Sequence, residues 1–167
     1  IHTKSRYRYF FTLLGFAVIS EIPWYLLNGA DGTHNVMFTL ALGVATLMVL
    51  ENLLQRSMVL GFLWTLGMAG LASWLGVDYE WRGILVIVFF YLFNGFEHYL
   101  PYSRGMQFFC TFVLMIHYGG IGAIMACMIL YVYNGTRGFV QGSIAQYGFY
   151  AFYPIHLIVL SNFMLLP

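Results

Sequence analysis

Apolar residues fall in six long runs separated by short polar breaks. The first run covers 7–27 and carries Glu21 and Pro23 inside it. A turn-forming stretch with Gly29, Asp31 and Gly32 follows. The second run, 36–54, ends at Gln55, Arg56 and Ser57, and the third covers 58–77. Asp78, Tyr79, Glu80, Trp81 and Arg82 make the next break, and the fourth run, 83–100, is stopped by Pro101. The fifth, 106–133, is long for one span, and Gly119, Gly120 and Gly122 are able to bend or split it. A polar connection, 134–146, leads to the last run, 148–166, with Pro154 in its first turns. A helix needs about 20 apolar residues to cross a bilayer. The runs are continuous and lack the alternation of barrel strands. The pattern therefore predicts one all-α domain over 1–167, a polytopic transmembrane helix bundle of about six spans. No internal repeat is visible, which argues against an inverted-repeat transporter.

Composition strengthens this reading. Hydrophobic residues make up 61% of the chain and charged residues 8%, against roughly 25% charged in soluble domains. Only a lipid bilayer tolerates such a surface. A net charge of +1 leaves no basic field for nucleic acid. Cys110 and Cys127 share one apolar run without metal-ligand spacing, so they read as packing residues, and no metal is expected.

Six spans put both chain ends on one side, with Lys4, Arg6, Arg8, Arg56 and Arg104. Arg82 and Arg137 fall opposite. The positive-inside rule makes the first side cytoplasmic. Most other polar groups then gather on the outer face: Glu21, Asp31, His34, Asn35, Asp78, Glu80, Gln141, Tyr153 and His156. Loop polarity accounts for Asp31, Glu80 and Gln141. It does not account for Glu21, because an ionisable group within a span is costly and faces a cavity or a partner. His156, just past Pro154, is either a general base or an interfacial hydrogen bonder. His117 lies mid-run, where it relays protons or bonds a neighbouring helix. GxxxG-like spacings near Gly67 and Gly119 read as close helix packing. The chain contains no GxSxG, P-loop or HExxH.

Five segments carry a family resemblance. Phe16 to Trp24 resembles the LISEIP segment of the TraX family, and Asn35 to Leu40, followed by Gly43, resembles its next motif. Asp78-Tyr79 with Gly83 is similar to its DYG entry to a span. Tyr133 to Gly138 is similar to its YNGxRG loop, and Phe149 to Leu157 to its FYxFYPxHL close. The five occur in the same order and cover nearly the whole chain. The resemblance implies a bacterial inner-membrane, multi-pass acyltransferase of the kind that acetylates the N-terminus of conjugative pilin from acetyl-CoA. Members of the family begin with a further helix bearing an Asp-His pair and a GRxxFPxF span. This chain starts at the Ile1-His2-Thr3 segment that follows them. If that Asp-His is the catalytic base, residues 1–167 alone are not expected to turn over.

The function expected is transfer of an acetyl group from acetyl-CoA to an amine or hydroxyl acceptor, a protein or small molecule, at the outer face. Acyl transfer needs a base for the nucleophile and donors for the oxyanion. The expected roles are acid-base work by His156 and Glu21, and donors from Asn35, Arg137 and Tyr153. Asp78 is expected to hold Arg137 or Arg82, and Arg56 and Arg104 to hold the donor's phosphates. Glu21, Arg137 and His156 are expected to converge on one cavity. The alternatives are a small transporter or permease-like subunit, with Glu21, His117 and His156 lining a path, and a purely structural membrane subunit.

Overall fold

The computed structural model describes residues 5–95, 103–133 and 142–164. Within them are seven α-helices and no strand. Helix α1 (Arg6–Asn28) starts where Ser5 caps it, its Oγ accepting the Arg8 N–H at 3.3 Å. The helix runs unbroken through Pro23 and stops at Gly29, which takes a left-handed φ of 76°. Helix α2 (Val36–Arg56) begins at the cap Asn35 and is separated from α3 (Met58–Trp74) by Ser57 alone. Helix α4 (Glu80–Gly95) follows a tight loop, 75–79.

The long fifth run is two helices. Helix α5 (Ser103–Met115) passes through a 3-10 turn, Ile116–Tyr118, and Gly119 into α6 (Gly120–Val132). Gly119 has φ 132°, a backbone state that only glycine adopts without strain. Phe108 meets Tyr131 with ring centroids 6.2 Å apart, and Cys127 Sγ lies 3.7 Å from the Phe108 carbonyl, so α5 and α6 form an antiparallel hairpin. Helix α7 (Ser143–Met164) starts five residues earlier than the hydropathy predicts, which places Pro154 and His156 deep in it rather than in its first turns.

Neighbours from α1 to α6 alternate in direction, and the split of the fifth run reverses α7 relative to the six-span expectation. Tyr150 packs on Tyr9 and Phe16, and Tyr153, a turn later, meets the start of α2. Helix α7 therefore runs parallel to α1. The bundle has two ends. Glu21, the loops 29–35 and 75–79, the 3-10 turn and Tyr153 lie at one. Arg6, Arg56 and Arg104 lie at the other, where Arg6 pairs with Glu51.

Helix α2 is central, touching α1, α3 and α4. One apolar core lies among α2, α3 and α4 around Leu50, Ala72, Ile84 and Val88. Another lies among α1, α2 and α7 around Leu13, Ala17, Met37 and Ala41. Glycines let the central helices approach, but not at the sequence positions expected. A Cβ on Gly43 would lie 2.3 Å from Ile87 Cδ1, and one on Gly83 would lie 2.5 Å from Thr39 Cγ2, whereas Gly67 and Gly119 face open space.

The outer surface is apolar. Ile22 is 71% exposed, and Trp74, Ile121 and Val132 are each 80% exposed. Water-soluble monomers rarely show contiguous apolar patches beyond a few hundred Å². Two helices among the described residues, α1 and α2, are long and apolar enough to cross a membrane, and α3 and α6 are shorter apolar helices. This is a membrane protein.

Candidate active site

Glu21 sits two turns before the end of α1, opposite the start of α2. Asn35 organises the crossing. As the cap of α2, its Oδ1 accepts the Met37 N–H at 3.1 Å. That fixes the amide so that Nδ2 donates to the Ala17 carbonyl at 2.9 Å and to Glu21 Oε2 at 2.7 Å. Asn35 is fully buried, and its amide has no hydrogen left. The role of substrate donor expected for Asn35 is therefore replaced by that of holding the Glu21 carboxylate.

The other carboxylate oxygen, Glu21 Oε1, lies 2.5 Å from Nδ1 of His34. A carboxylate oxygen accepts, so it favours the tautomer of the neutral ring that carries its proton on Nδ1 and its lone pair on Nε2. The side chains of His34 and Glu21 are 44% and 33% exposed, so the pair is reachable. Both face an open cavity of about 570 Å³ whose wall includes Trp24, Tyr25, Gly29 and Thr33. A second cavity, about 600 Å³ between α5 and α6, is lined mostly by apolar side chains such as Phe112 and Met128 and holds no charged group.

The His34 backbone is clamped by the α3–α4 loop. Its N–H donates to the Gly76 carbonyl at 2.9 Å, and its carbonyl accepts the Asp78 N–H at 2.7 Å, a single parallel bridge. The Thr39 hydroxyl donates to the Asp78 carbonyl from across α2. The loop is strained to reach this position. Tyr79 and Glu80 have φ of 63° and 44°, each costing about 1–3 kcal/mol for a side-chain-bearing residue. Within this loop Gly76 has to be glycine, because it has φ 64° and a Cβ there would lie 2.9 Å from the Gly32 carbonyl.

Among the described residues, Asp78 holds no arginine. Its Oδ1 accepts the Tyr79 N–H at 3.0 Å. Arg82 instead reaches Glu80 at 3.6 Å and lies over the Trp81 ring at 4.5 Å. Burial raises the Asp78 pKa above its ordinary 3.8, against the opposing pull of the Tyr79 amide. A raised folded value means that the native state binds this proton more tightly than the unfolded chain. The resulting stability is present below the ordinary value and is lost as pH rises through the raised one. Asp78→Asn keeps the acceptor for Tyr79 and removes the buried charge. Its thermal midpoint in detergent is expected to match or exceed that of the wild type at pH 7, with the difference shrinking toward pH 4. A lower midpoint at pH 7 would contradict this.

The remaining residues singled out in the sequence are spread over the bundle. The Tyr153 phenol lies against the Val36 amide, within electrostatic reach of Glu21 and Asp78. His156 bonds its own helix, Nδ1 to the Tyr153 carbonyl at 2.9 Å, and stacks on Phe152. It makes no hydrogen bond with Glu21, and among the described residues it does not line the Glu21 cavity. His117 is not mid-span but exposed in the 3-10 turn. Arg137 lies outside the described residues, and the helix ends that flank it, Val132 and Ser143, are at the Arg6 end. Arg56 and Arg104 are exposed at that same end. Asn35 and Arg56 bracket α2, so at 1.5 Å per residue Arg56 is roughly 30 Å from the Glu21–His34 pair. His34 itself is the residue that sequence reasoning passed over, as one polar group among several in a loop. Its adjacency to the cap Asn35 was the available signal.

The family model described as TraX protein matches residues 1–164. The chain belongs to the TraX family. A curated relative, the probable fimbrial assembly protein FimC, serogroup H1, of Dichelobacter nodosus, is 28% identical across 96% of this chain and 73% of its own length. No solved structure matches. Four of the five segments that resemble TraX motifs send a residue to the Glu21 end: Glu21, Asn35, the Asp78-Tyr79 loop and Tyr153. The fifth lies largely outside the described residues.

Proposed function

We propose that this TraX-family protein is a membrane-embedded acyltransferase that moves an acetyl group from acetyl-CoA to an amine or hydroxyl acceptor, such as the N-terminus of a pilin. The observation that carries this reading is the Glu21–His34 pair, a carboxylate-oriented imidazole open to a cavity. In this mechanism His34 Nε2 takes the proton of the acceptor's N–H or O–H as that atom attacks the thioester carbonyl. Glu21 stabilises the imidazolium that forms, and Asn35 keeps Glu21 in place. In the same reading the Tyr153 O–H donates to the oxyanion. The C–S bond then breaks, and the thiolate leaves with the proton from His34. Membership of the family and the fimbrial assembly name of the relative support a pilin-type acceptor. The test is release of free CoA thiol and labelling of a pilin N-terminal peptide when labelled acetyl-CoA meets the full-length protein in nanodiscs. Absence of both products would overturn the reading.

The same proposal sets the protein as multi-pass in a bacterial inner membrane. Among the described arginines, Arg6, Arg8, Arg56 and Arg104 lie at one end and Arg82 alone at the other, which makes the Arg6 end cytoplasmic. With Cys110 and Cys127 replaced, single cysteines at Asp31, Arg82 and Asn162 are expected to react with an impermeant maleimide in spheroplasts, and one at Arg56 is not. Protection of Asn162 would restore the six-span arrangement. Reaction at Arg56 alone would invert the protein.

A further inference from the structure

We infer that Tyr118, at the tip of the α5–α6 hairpin, is a positioning residue for His34 and couples the hairpin to the site. The inference rests on the acyl-transfer reading for its kinetic arm only. Tyr118 belongs to no motif and lies outside the cavity. Its ring meets that of Tyr79 edge-on, with centroids 4.9 Å apart, and Arg82 lies over it at 5.8 Å. Tyr79 is one of two side-chain-bearing residues held at positive φ in the described chain. Such a backbone persists only where its surroundings over-determine it. The bonds around Tyr79 are the Asp78 carboxylate to its N–H at 3.0 Å and the Gly83 N–H to its carbonyl at 2.9 Å. The ring contact to Tyr118 adds the restraint from outside the loop. One residue back, the Asp78 N–H holds the His34 carbonyl. Ring, strained turn, backbone bridge and imidazole form one continuous packed path.

Among the described residues the hairpin joins the bundle along one helix. Helix α6 touches only α5 and the turn, and α5 packs on α4, where Gln107 Nε2 donates to Asn94 Oδ1 at 3.1 Å. The aromatic contact at its tip is therefore the hairpin's direct grip on the loop that clamps His34.

Two arms test this. In the transfer assay, Tyr118→Leu is expected to lower kcat about tenfold, since small displacements from remote changes are amplified at the reacting atoms. Tyr118→Phe, which keeps the ring, is expected to stay within twofold of wild type. In a His34→Gln background Tyr118→Leu is expected to cost nothing further, because the two act through one group. A purely structural role would lower both backgrounds by the same factor and overturn the inference. The second arm needs no turnover. Carbethoxylation by diethyl pyrocarbonate, read site by site by mass spectrometry, is expected to change severalfold at His34 in Tyr118→Leu and to stay constant at His156. An unchanged His34 rate overturns the inference. A changed rate in a protein with no transferase activity keeps it and overturns the acyl-transfer reading instead.

Discussion

Replacing His34 by glutamine is expected to lower acyl transfer by about 10²–10⁴-fold, the range that a positioned general base supplies. Glutamine keeps a polar side chain of similar reach but cannot accept and return a proton at neutral pH. Glu21→Gln should fall by a comparable factor, because a neutral amide neither fixes the Nδ1 proton nor stabilises the imidazolium. The two losses should not add, since carboxylate and imidazole act as one unit across 2.5 Å. His156→Gln serves as the contrast. Among the described residues His156 bonds only to the backbone of its own helix, through Nδ1, so its loss is expected to be under tenfold. Thiol release from acetyl-CoA checks all three, with protein amount and monodispersity matched. A His34→Gln protein within tenfold of wild type would remove the base from this mechanism, and a collapse in His156→Gln would return the role to α7.

The second large effect is on stability. Asn35→Ala removes the α2 cap, worth about 1 kcal/mol. It also removes a charge-assisted hydrogen bond to Glu21 of about 1.5–3 kcal/mol. The sum, about 2.5–4 kcal/mol, is a large part of a marginal stability. Chemical unfolding in detergent should show it as an earlier midpoint at an unchanged slope. Asn35→Asp keeps the cap and separates the two terms. It restores the bond to Met37 but sets a second carboxylate against Glu21, so transfer should stay low while part of the stability returns. If Asn35→Ala unfolds within 0.5 kcal/mol of wild type, the α1–α2 crossing is held by packing alone and the proposed role of Asn35 fails.

The candidate site was legible in part. Glu21 stood out because a carboxylate inside an apolar run demands a partner, and that demand holds in any fold. Asn35 was legible as a helix start, since an asparagine before an apolar run is a cap signal. Which partner Glu21 takes was not. His34 and His156 are both polar residues at the same end of the bundle, and only the α1–α2 crossing brings one of them to the carboxylate. Arg82 likewise had Asp78 and Glu80 within reach in sequence, and the strained turn at Tyr79 and Glu80 gave it to Glu80.

The sequence by itself determined that the chain is helical, that its surface is apolar, and that it belongs with TraX proteins. Each of these depends on run length, composition and ordered motifs, which need no knowledge of neighbours. Only the tertiary structure decided that the fifth run is a hairpin and that α7 lies parallel to α1. The reason is that in a membrane chain the side facing lipid is as apolar as the side facing the core. Hydropathy marks where a helix exists and carries no information about which face it packs or where a uniformly apolar stretch reverses. That reversal was set by one glycine, Gly119 at φ 132°, with apolar residues on both sides of it.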